Sequence, residues 1–443
     1  MFPVLTISSA NNPQFDEPAK PENVRFELPP PVRFALDMLN AAGYSAYIVG
    51  GSVRDFVMHR TPGDFDVTTS AKPEQVISVF RDCRIVETGL KHGTVTLVRN
   101  GMNIEITTYR IDGDYSDGRH PNEVQFTDNL ALDLERRDFT INAMAYSDKT
   151  GIVDLNGGIR DIGNCTISCV GNAVDRFRED GLRILRALRF SATLDFAPDN
   201  DCSRAVFSEK SLLSAISRER IFQELTKLLC GIASPRILTD YSEIIAFVIP
   251  ELSPDAPDRA ARMIISAREL ASDVIPDYRI PPELYYSLLF SALDQTALTS
   301  AVASLKTSRD FSRNIKTIAS TGTTAAIDSY KTARHAARYL LGQFGPLLSY
   351  AVILYNYSSG HMSRSMAAAL FSELSAALES GDCCKIAELS VTGNDLIAAG
   401  LKPAEVGTSL RELLELVLTD RIENTKASLM AQIKAKISDG GCL

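Results

Sequence analysis

The sequence lacks several features that would place the protein in a membrane, outside the cell or around a metal cluster. It has no apolar run near the ~18 residues that a membrane-spanning helix needs, and its first 20 residues have neither the basic start nor the apolar core of a signal peptide. Its eight cysteines include no Cys-x-x-Cys pair, which disfavours a disulfide framework and a zinc site. We therefore expect a cytoplasmic protein with free thiols and no membrane partner.

Further absences bear on partners and on domain count. The net charge of −9 disfavours non-specific coating of nucleic acid, so any RNA contact must come from local basic patches. None of the five histidines is followed by aspartate, so we do not expect a metal phosphohydrolase module. No repeat of 20–50 residues is evident. A chain of 443 residues exceeds the ~250–300 residues that one core usually supports, which predicts at least two domains.

A Gly-Gly turn is the first informative feature of the chain. The β-rich residues 47–49 enter Gly50-Gly51, and a short helix follows near Val53. Backbone N–H groups and the positive end of that helix would then face one point, which suits a phosphate. A Gly-Gly turn alone is weak evidence, but its close spacing from the next motif strengthens it.

Three carboxylates follow this turn. Asp64 and Asp66 read as residues of a second strand, and because strand side chains alternate with period 2, both should project from one face. Asn100-Gly101 predicts a hairpin whose second strand carries Glu105 on its polar face. Paired carboxylate oxygens suit Mg²⁺. The alternative is that the Asp-x-Asp pair decorates a solvated strand edge.

Two groups of arginines come next. Arg136 and Arg137 precede an apolar helical start, and their plain interpretation is a pair of surface charges. From residue 176 a second segment reads as one helix, whose buried stripe is Leu182, Leu185 and Leu188. Four charged residues recur every third position along another side of the same helix. They are Asp180, Arg183, Arg186 and Arg189. By itself such a run is usually a solvated face.

The chain divides into a β-rich first part and a helical remainder, which predicts an α+β fold. A helix should begin at the prolines 29–31 and stop at Gly43, and the β-rich part should end near Thr166. Residues 112–121 read as a polar, glycine-containing loop. We expect a mobile extension over residues 1–28, a head over 29–168, a neck over 169–240, a body over 241–330 and a tail over 331–443.

Six motifs in order carry a resemblance to one family. They are residues 50–55 (GGSVRD), 64–66 (DFD), 92–94 (HGT), 105–110 (EITTYR), 136–143 (RRDFTINA) and 179–183 (EDGLR). Together they resemble the class II, bacterial-type tRNA nucleotidyltransferases, which are CCA-adding enzymes of the polymerase β nucleotidyltransferase superfamily. The resemblance runs from about residue 29 to 429. Two departures are His59, where the family often has glycine, and residues 1–28, which have no counterpart.

The resemblance implies a mixed-sheet nucleotidyltransferase head, a neck that recognises the base, and a helical body and tail that bind the tRNA acceptor stem and 3′ end. It also implies ATP and CTP as substrates, Mg²⁺ as cofactor, and a role for the loop 112–121 in the change from C to A addition. By this resemblance, Gly51 and Arg54 hold the triphosphate and Arg137 contacts the nucleotide. Asp64 and Asp66 bind metal, with Glu105 as a candidate helper. The residues that line the base site are Asp180, Arg183, Arg186 and Arg189.

Asp180 and Arg183 are a candidate amino-acid template. A carboxylate offers only acceptors and a guanidinium only donors. Cytosine and adenine both present an exocyclic amine beside a ring-nitrogen acceptor, whereas uracil and guanine reverse this order. The alternative is an intrahelical salt bridge on a solvated face.

The sequence leaves several rival functions open. An A-adding or CC-adding enzyme and a poly(A) polymerase share the same head, and a catalytically dead RNA-binding module is a rival of another class. Against a poly(A) polymerase, the residues after the first motif are 92–96 (HGTVT) and not an Arg-Arg-Phe-type run. Against a CC-adding enzyme, the loop 112–121 has full length. Against a dead module, Asp64 and Asp66 are both present.

Overall fold

A computed structural model describes residues 25–90, 93–112, 124–320, 325 and 327–438. The chain separates into two compact units, one up to Ile249 and one from Pro250 onward. The predicted loop 112–121 lies outside the described residues except for Asp112, and so do residues 1–24. In the described part of the chain, no helix combines the length and the apolar character needed to cross a membrane.

The described strands all lie in the first unit, between residues 46 and 198. In chain order they are β1 Ala46–Val49, β2 Asp66–Thr69, β3 Arg84–Gly89, β4 Thr94–Arg99, β5 Met102–Thr108, β6 Arg110–Asp112, β7 Val124–Phe126, β8 Met144–Ser147, β9 Gly151–Asp154, β10 Thr166–Ile167 and β11 Ala197–Pro198.

Seven of these strands form one mixed sheet in the order β3-β4-β5-β2-β1-β8-β9. Among the described strands of this sheet, only the β2–β5 pair is parallel, and its register sets Asp66 opposite Glu105. The predicted hairpin is confirmed: β4 and β5 are joined by Asn100 and Gly101, which have φ values of 50° and 76°. Both values lie in the left-handed region that a two-residue hairpin turn requires. The mixed sheet of the predicted α+β fold is therefore confirmed.

Eleven helices belong to the described part of the first unit. They are α1 Pro30–Ala41, α2 Gly51–Val57, α3 Pro73–Val79, α4 Leu130–Glu135, α5 Gly158–Gly163, α6 Ala173–Glu179, α7 Leu182–Leu194, α8 Asn200–Ser208, α9 Arg218–Cys230, α10 Ser234–Asp240 and α11 Ser242–Val248, with 3₁₀ turns at Thr140–Asn142 and Lys210–Ala215.

The N-terminal end of the described chain packs onto the head. Leu28 is buried, and the Phe26 ring stacks on Phe56 of α2 with centroids 4.5 Å apart. The Phe26 backbone N–H also donates to the Tyr146 hydroxyl at 3.1 Å. Residues 26 and 28 thus contact the head, although the sequence predicted a mobile extension up to residue 28.

His59 has a structural reason for its departure from the family pattern. Its φ is 54°, in the left-handed region that favours glycine. Histidine is among the non-glycine residues that adopt this region more readily. The turn after α2 therefore has a backbone conformation that glycine would also adopt without strain.

The second unit has helices but no strand among its described residues. Its helices are α12 Ala256–Val274, α13 Pro282–Leu289, α14 Gln295–Ser304, α15 Arg309–Ile318, α16 Ala333–Ser358, α17 Arg364–Ser380, α18 Gly393–Ala398, α19 Pro403–Leu418 and α20 Lys426–Ser438, with a 3₁₀ turn at Ile386–Glu388. Helix α16 is kinked at Gly345, where φ is 71° and Pro346 follows.

Arg338 of α16 is a buried cation of this unit. Its side chain is 8% exposed, Nε donates to Asp382 at 2.6 Å, and Nη1 donates to Asp420 at 2.6 Å. Asp382 follows α17 and Asp420 follows α19, so one guanidinium connects three helices. Arg334 reaches the same two carboxylates at 3.3 and 3.6 Å, but its side chain is 50% exposed.

We predict that Arg338→Leu lowers the free energy of unfolding of this unit by up to about 3 kcal/mol, because the mostly buried Asp382 then keeps only the longer contact with the half-exposed Arg334 as its ion pair. Arg334→Leu is the matched control and should cost at most about 1 kcal/mol, since exposed pairs contribute little. Urea unfolding followed by circular dichroism measures both. Equal losses in the two variants would contradict this role for Arg338.

The stability difference between wild type and Arg338→Leu should depend on pH. Burial acts to raise the pKa of Asp382 and of Asp420, but hydrogen bonds and the charge of Arg338 outweigh it and hold both pKa values below normal. A depressed carboxyl pKa stabilises the fold above the unfolded pKa of about 3.9, and that stability is lost as pH falls through the folded pKa. The gap between wild type and Arg338→Leu should therefore shrink below pH 4.

Candidate active site

The Gly-Gly turn joins β1 to α2 and lies beside two arginines. Gly50 has a φ of 78° and its N–H donates to the Met144 carbonyl of β8 at 3.3 Å. A Cβ atom placed on Gly50 would lie 3.6 Å from Arg137 Nη1, and one on Gly51 would lie 3.5 Å from Arg54 Nη2. Both guanidinium groups therefore lie against the turn that was predicted to face a phosphate.

Arg54 is held in place from several directions. Its Nη1 donates to Asn142 Oδ1 at 2.8 Å, and its Nη2 donates to Asp55 Oδ1 at 2.7 Å. The guanidinium carbon also lies 5.4 Å from the centre of the Phe190 ring of α7. Its side chain is only 12% exposed. The cation is thus positioned before any ligand binds.

The carboxylates project from one face, as predicted. Phe65 and Val67 are buried, whereas Asp64 and Asp66 are exposed. The strand itself begins at Asp66, so Asp64 lies two residues before it and not within it. Glu105 is exposed and stands opposite Asp66 on the neighbouring parallel strand. Neighbouring strands are about 4.8 Å apart, which brings Asp66 and Glu105 close together.

The environment of this sheet edge raises the pKa of one carboxyl group, that of Asp66. The pKa of Asp66 is raised to about 6 by partial removal from water, then by the charges of Asp64 and Glu105, against the opposing effect of Arg137. Carboxylates that disfavour each other's ionisation suit a divalent cation, which would stabilise the charged forms. In the described ranges no three His, Cys, Asp or Glu side chains form a ready metal-binding group. Mg²⁺ commonly takes one or two carboxylates with substrate phosphates, and Asp64 and Asp66 fit that donor set.

Asp133 of α4 is a buried carboxylate that the sequence patterns did not bring forward. Its side chain has no exposed surface; Arg136 donates to it at 2.7 Å and Arg137 at 3.2 Å. The Thr68 hydroxyl of β2 donates to it at 3.1 Å, and the Arg110 backbone N–H at 3.3 Å. The positive charges hold its pKa below normal, although burial acts to raise it. The two arginines are therefore not free surface charges, which corrects their plain interpretation.

The i, i+3 and i, i+4 spacing of Asp133 from the two arginines is a sequence signal that could have indicated this contact. One donor of the pair stays open. Arg137 Nε is buried and, in the part of the chain that the structure describes, has no hydrogen-bond partner. A buried donor without a partner beside the Gly-Gly turn suits a ligand acceptor.

The predicted single helix from residue 176 is wrong, because it breaks at Asp180. Helix α6 ends at Glu179, Asp180 is extended (φ −145°, ψ 105°), and α7 begins at Leu182. The Asp180 carboxylate accepts the Leu182 N–H at 3.0 Å, so it stabilises the start of a new helix instead of continuing the old one. Asp180 thus lies at the junction, while Arg183 lies in the first turn of α7.

The alternative of an intrahelical salt bridge between Asp180 and Arg183 is not supported, because each side chain pairs with another residue in the described part of the chain. Asp180 Oδ2 accepts from Arg220 of α9 at 2.6 Å. Arg183 pairs with Glu179 and donates to the Arg176 carbonyl at 3.1 Å. The Arg183 N–H still donates to the Asp180 carbonyl at 2.9 Å, which keeps the two residues neighbours across the turn.

Arg186 and Arg189 face protein partners rather than solvent. Arg186 Nε donates to Asp138 at 2.8 Å, and Arg189 Nε lies 2.6 Å from Glu224 of α9. Despite burial, the Arg186 and Arg183 charges and the Phe139 N–H lower the pKa of Asp138 to about 2. Arg189 also stacks 3.7 Å from the centre of the Phe190 ring. The solvated-face alternative is therefore wrong for this part of α7.

Residues 46–168 match the family described as Poly A polymerase head domain, and residues 282–433 match tRNA nucleotidyltransferase domain 2. The head is that of a nucleotidyltransferase. A CCA-adding enzyme of Lactobacillus delbrueckii subsp. bulgaricus is 34% identical over 409 residues, which cover 89% of this chain and 94% of the relative. A CCA-adding enzyme of Lactobacillus helveticus is 36% identical over 408 residues, covering 88% and 93%.

The likeness extends to a solved structure. The crystal structure of the Bacillus stearothermophilus CCA-adding enzyme in complex with CTP is similar with a TM-score of 0.73 and 28% identity, covering 93% of this chain and 99% of the other. The chain belongs to the family of CCA-adding enzymes. The family resemblance in the motifs is confirmed, and membership of this nucleotidyltransferase family implies dependence on a divalent metal ion.

We predict that Asp133→Asn raises KM for CTP and ATP by roughly tenfold, because the neutral amide holds Arg137 less firmly at the Gly-Gly turn. KM for tRNA should change little. Steady-state kinetics with each substrate varied in turn measures both.

The matched control is Asp161→Asn. Asp161 is also a buried carboxylate of the head, and it accepts from Thr140 at 2.7 Å and from Arg160 at 3.1 Å. A loss of stability alone would affect both variants alike. If Asp133→Asn and Asp161→Asn change the nucleotide KM equally, Asp133 has no special effect on the site.

Proposed function

We propose that this chain adds CCA to the 3′ end of tRNA without a nucleic-acid template, using CTP and ATP and releasing pyrophosphate. One observation carries the proposal: the carboxylate face of Asp64, Asp66 and Glu105 lies in the same head as a Gly-Gly turn bordered by Arg54 and Arg137. The carboxylates suit metal-assisted nucleotidyl transfer, and the turn suits a triphosphate.

Asp64 and Asp66 are the proposed metal ligands, with Glu105 as helper, and Mg²⁺ is the proposed ion. When bound there, Mg²⁺ would lower the pKa of the primer 3′-hydroxyl and neutralise charge on the pyrophosphate. The exposure of Asp64 and Asp66 gives a nucleotide and a primer access to them. The remaining work of the protein is positioning and electrostatics.

Arg54 and Arg137 bind the triphosphate in this proposal. Arg54 is fixed by Asn142 and Asp55, and Arg137 by Asp133, so neither loses much side-chain freedom when a phosphate binds. The open donor of Arg137 gives a phosphate oxygen a partner. Gly51 keeps the turn free of a side chain that would contact Arg54.

Asp180 and Arg183 select the base, and Arg186 and Arg189 shape the rest of the base site. The break at Asp180 supports this assignment. Asp180 has an extended backbone between α6 and α7, and Arg183 remains its neighbour through the backbone hydrogen bond to the Asp180 carbonyl. Arg220 fixes the Asp180 carboxylate, so its acceptor positions are set in advance. Uracil or guanine would leave polar groups unpaired, at about 1–3 kcal/mol each.

The tRNA is the macromolecular partner. The proposed body over 241–330 and tail over 331–443 would follow the acceptor-stem backbone by shape, since the deep major groove of A-form RNA is hard for side chains to read. We infer that the head comprises 29–168 and the neck 169–240, and that the protein works in the cytoplasm, where tRNA is processed.

Product analysis tests the full CCA activity against its rivals. Purified protein is incubated with Mg²⁺ and tRNA lacking its 3′ end, in CTP alone, in ATP alone and in both. We expect CC from CTP alone and CCA from both nucleotides. A product that stops at CC with both nucleotides indicates a CC-adding enzyme, and a long A tract indicates a poly(A) polymerase. A parallel reaction on tRNA that already ends in CC identifies an A-adding enzyme, which would extend only that substrate.

We predict that Asp64→Ala and Asp66→Ala each reduce nucleotide addition at least a hundredfold, because the metal loses a ligand. Melting temperature and tRNA affinity should stay near wild type, since exposed carboxylates contribute little to packing. Asp82→Ala is the control, as Asp82 is 91% exposed and pairs only loosely with Arg81 at 3.6 Å. Near-normal turnover by both site variants would refute the metal assignment.

We also predict that Asp180→Ala and Arg183→Ala reduce the preference for CTP and ATP over UTP and GTP by about tenfold or more. The measurement is kcat/KM for all four nucleotides on the same tRNA. Arg178→Ala serves as control, because Arg178 is 60% exposed and pairs with Glu209 outside the proposed base site. Unchanged nucleotide selectivity in both site variants would show that Asp180 and Arg183 do not select the base and have only a structural role.

A further inference from the structure

Helix α15 in the second unit carries a cationic and hydroxyl-rich face. Arg309, Ser312, Arg313, Lys316 and Thr317 follow the spacing i, i+3, i+4, i+7, i+8, which places them on one side of the helix. Their opposite side is apolar, since Ile315 and Ile318 are fully buried. Burial of Ile315 and Ile318 therefore fixes the orientation of the helix, and this orientation directs the α15 face away from the core.

The α15 face lines a cavity of about 660 Å³ that is open to solvent. Three of the lining side chains are cationic, Phe344 is the one apolar ring among them, and the others carry hydroxyl or amide groups. The chain from Lys306 to Lys316 holds four cationic residues and one acidic residue, Asp310. A strongly basic segment is unusual in a protein whose net charge is −9.

The charges of this face are available to a ligand. Arg309 and Arg313 are exposed, and Lys316 is half-buried. Arg313 lies 2.9 Å from Asp310, but the two side chains are 68% and 77% exposed, so a competing anion can replace this pair at little cost. Ser312 and Thr317 add hydroxyl donors beside the cations.

We infer that the α15 face is a contact site for the phosphate backbone of the tRNA. Cations with neighbouring hydroxyls, on a rigid helix and without base-reading geometry, suit a phosphodiester strand, which such side chains position without reading sequence. The inference rests on the proposed function, because that function makes tRNA the polyanion at hand. It adds the particular element of the second unit that binds the backbone.

The triple variant Arg309→Gln, Arg313→Gln, Lys316→Gln tests the site in the full-length protein. We expect its Kd for tRNA to rise about tenfold at 0.1 M salt, and the slope of log Kd against log salt to become shallower by roughly one for each phosphate that the protein no longer neutralises. KM for CTP and ATP and kcat at saturating tRNA should stay at wild-type values. The double variant Arg309→Lys, Arg313→Lys keeps the charge and should keep the salt slope.

The matched control places the same loss of charge elsewhere in the unit. Arg262→Gln, Arg279→Gln, Arg411→Gln removes three exposed cations that do not line this cavity. An equal weakening in both triple variants would overturn a local site in favour of general charge attraction. Unchanged affinity in the α15 variant would also overturn the inference, and would leave an acidic protein surface as the partner that fits this face. If the wild-type protein adds no CCA to tRNA, the proposed function is wrong, and this outcome is distinct from unchanged tRNA affinity in the α15 variant.

Discussion

The arrangement of the head depends on arginines that are held by buried or half-buried carboxylates. Asp133 holds Arg137, Asp138 holds Arg186, and Glu224 lies against Arg189. A guanidinium left without such a partner in these positions would cost several kcal/mol, because desolvation of an unpaired ion is expensive. The positions of the cations are therefore set by the fold, and the groups proposed to bind the nucleotide are already oriented.

Asp133 also connects the cations to β2, the strand that carries the proposed metal ligand Asp66. The Thr68 hydroxyl, two residues after Asp66, donates to the same carboxylate as Arg137. A single buried group thus relates the edge that carries the proposed metal ligands to the side chain proposed to bind phosphate. In a reaction where the protein supplies mainly position and charge, errors of about 1 Å between such groups would be costly. This explains why a carboxylate with no exposed surface belongs to the functional architecture.

Local patterns predicted the parts of this site that depend on near neighbours in the chain. Period-2 alternation gave the shared face of Asp64 and Asp66, and Asn100-Gly101 gave the hairpin that brings Glu105 to the sheet. The continuous helix through Asp180 was wrong because its amphipathic spacing continues across the break, while the side chain of Asp180 caps a new helix. Ion pairs such as Arg189 with Glu224, on separate helices, require knowledge of packing that one sequence does not provide.

The break at Asp180 has a consequence for base choice. On a continuous helix, Asp180 and Arg183 would neutralise each other as an exposed i, i+3 pair, and a base would gain little by separating them. In the folded chain Arg220 and Glu179 take those roles, so the carboxylate and the guanidinium each have their own fixed partner. A base that presents a donor to one and an acceptor to the other can then add to existing contacts without removing a mutual salt bridge. If Asp180 and Arg183 select the base as proposed, this fixed framework would not let either side chain accommodate a mismatched base by a simple rotation, and the cost of the unpaired groups would appear as discrimination.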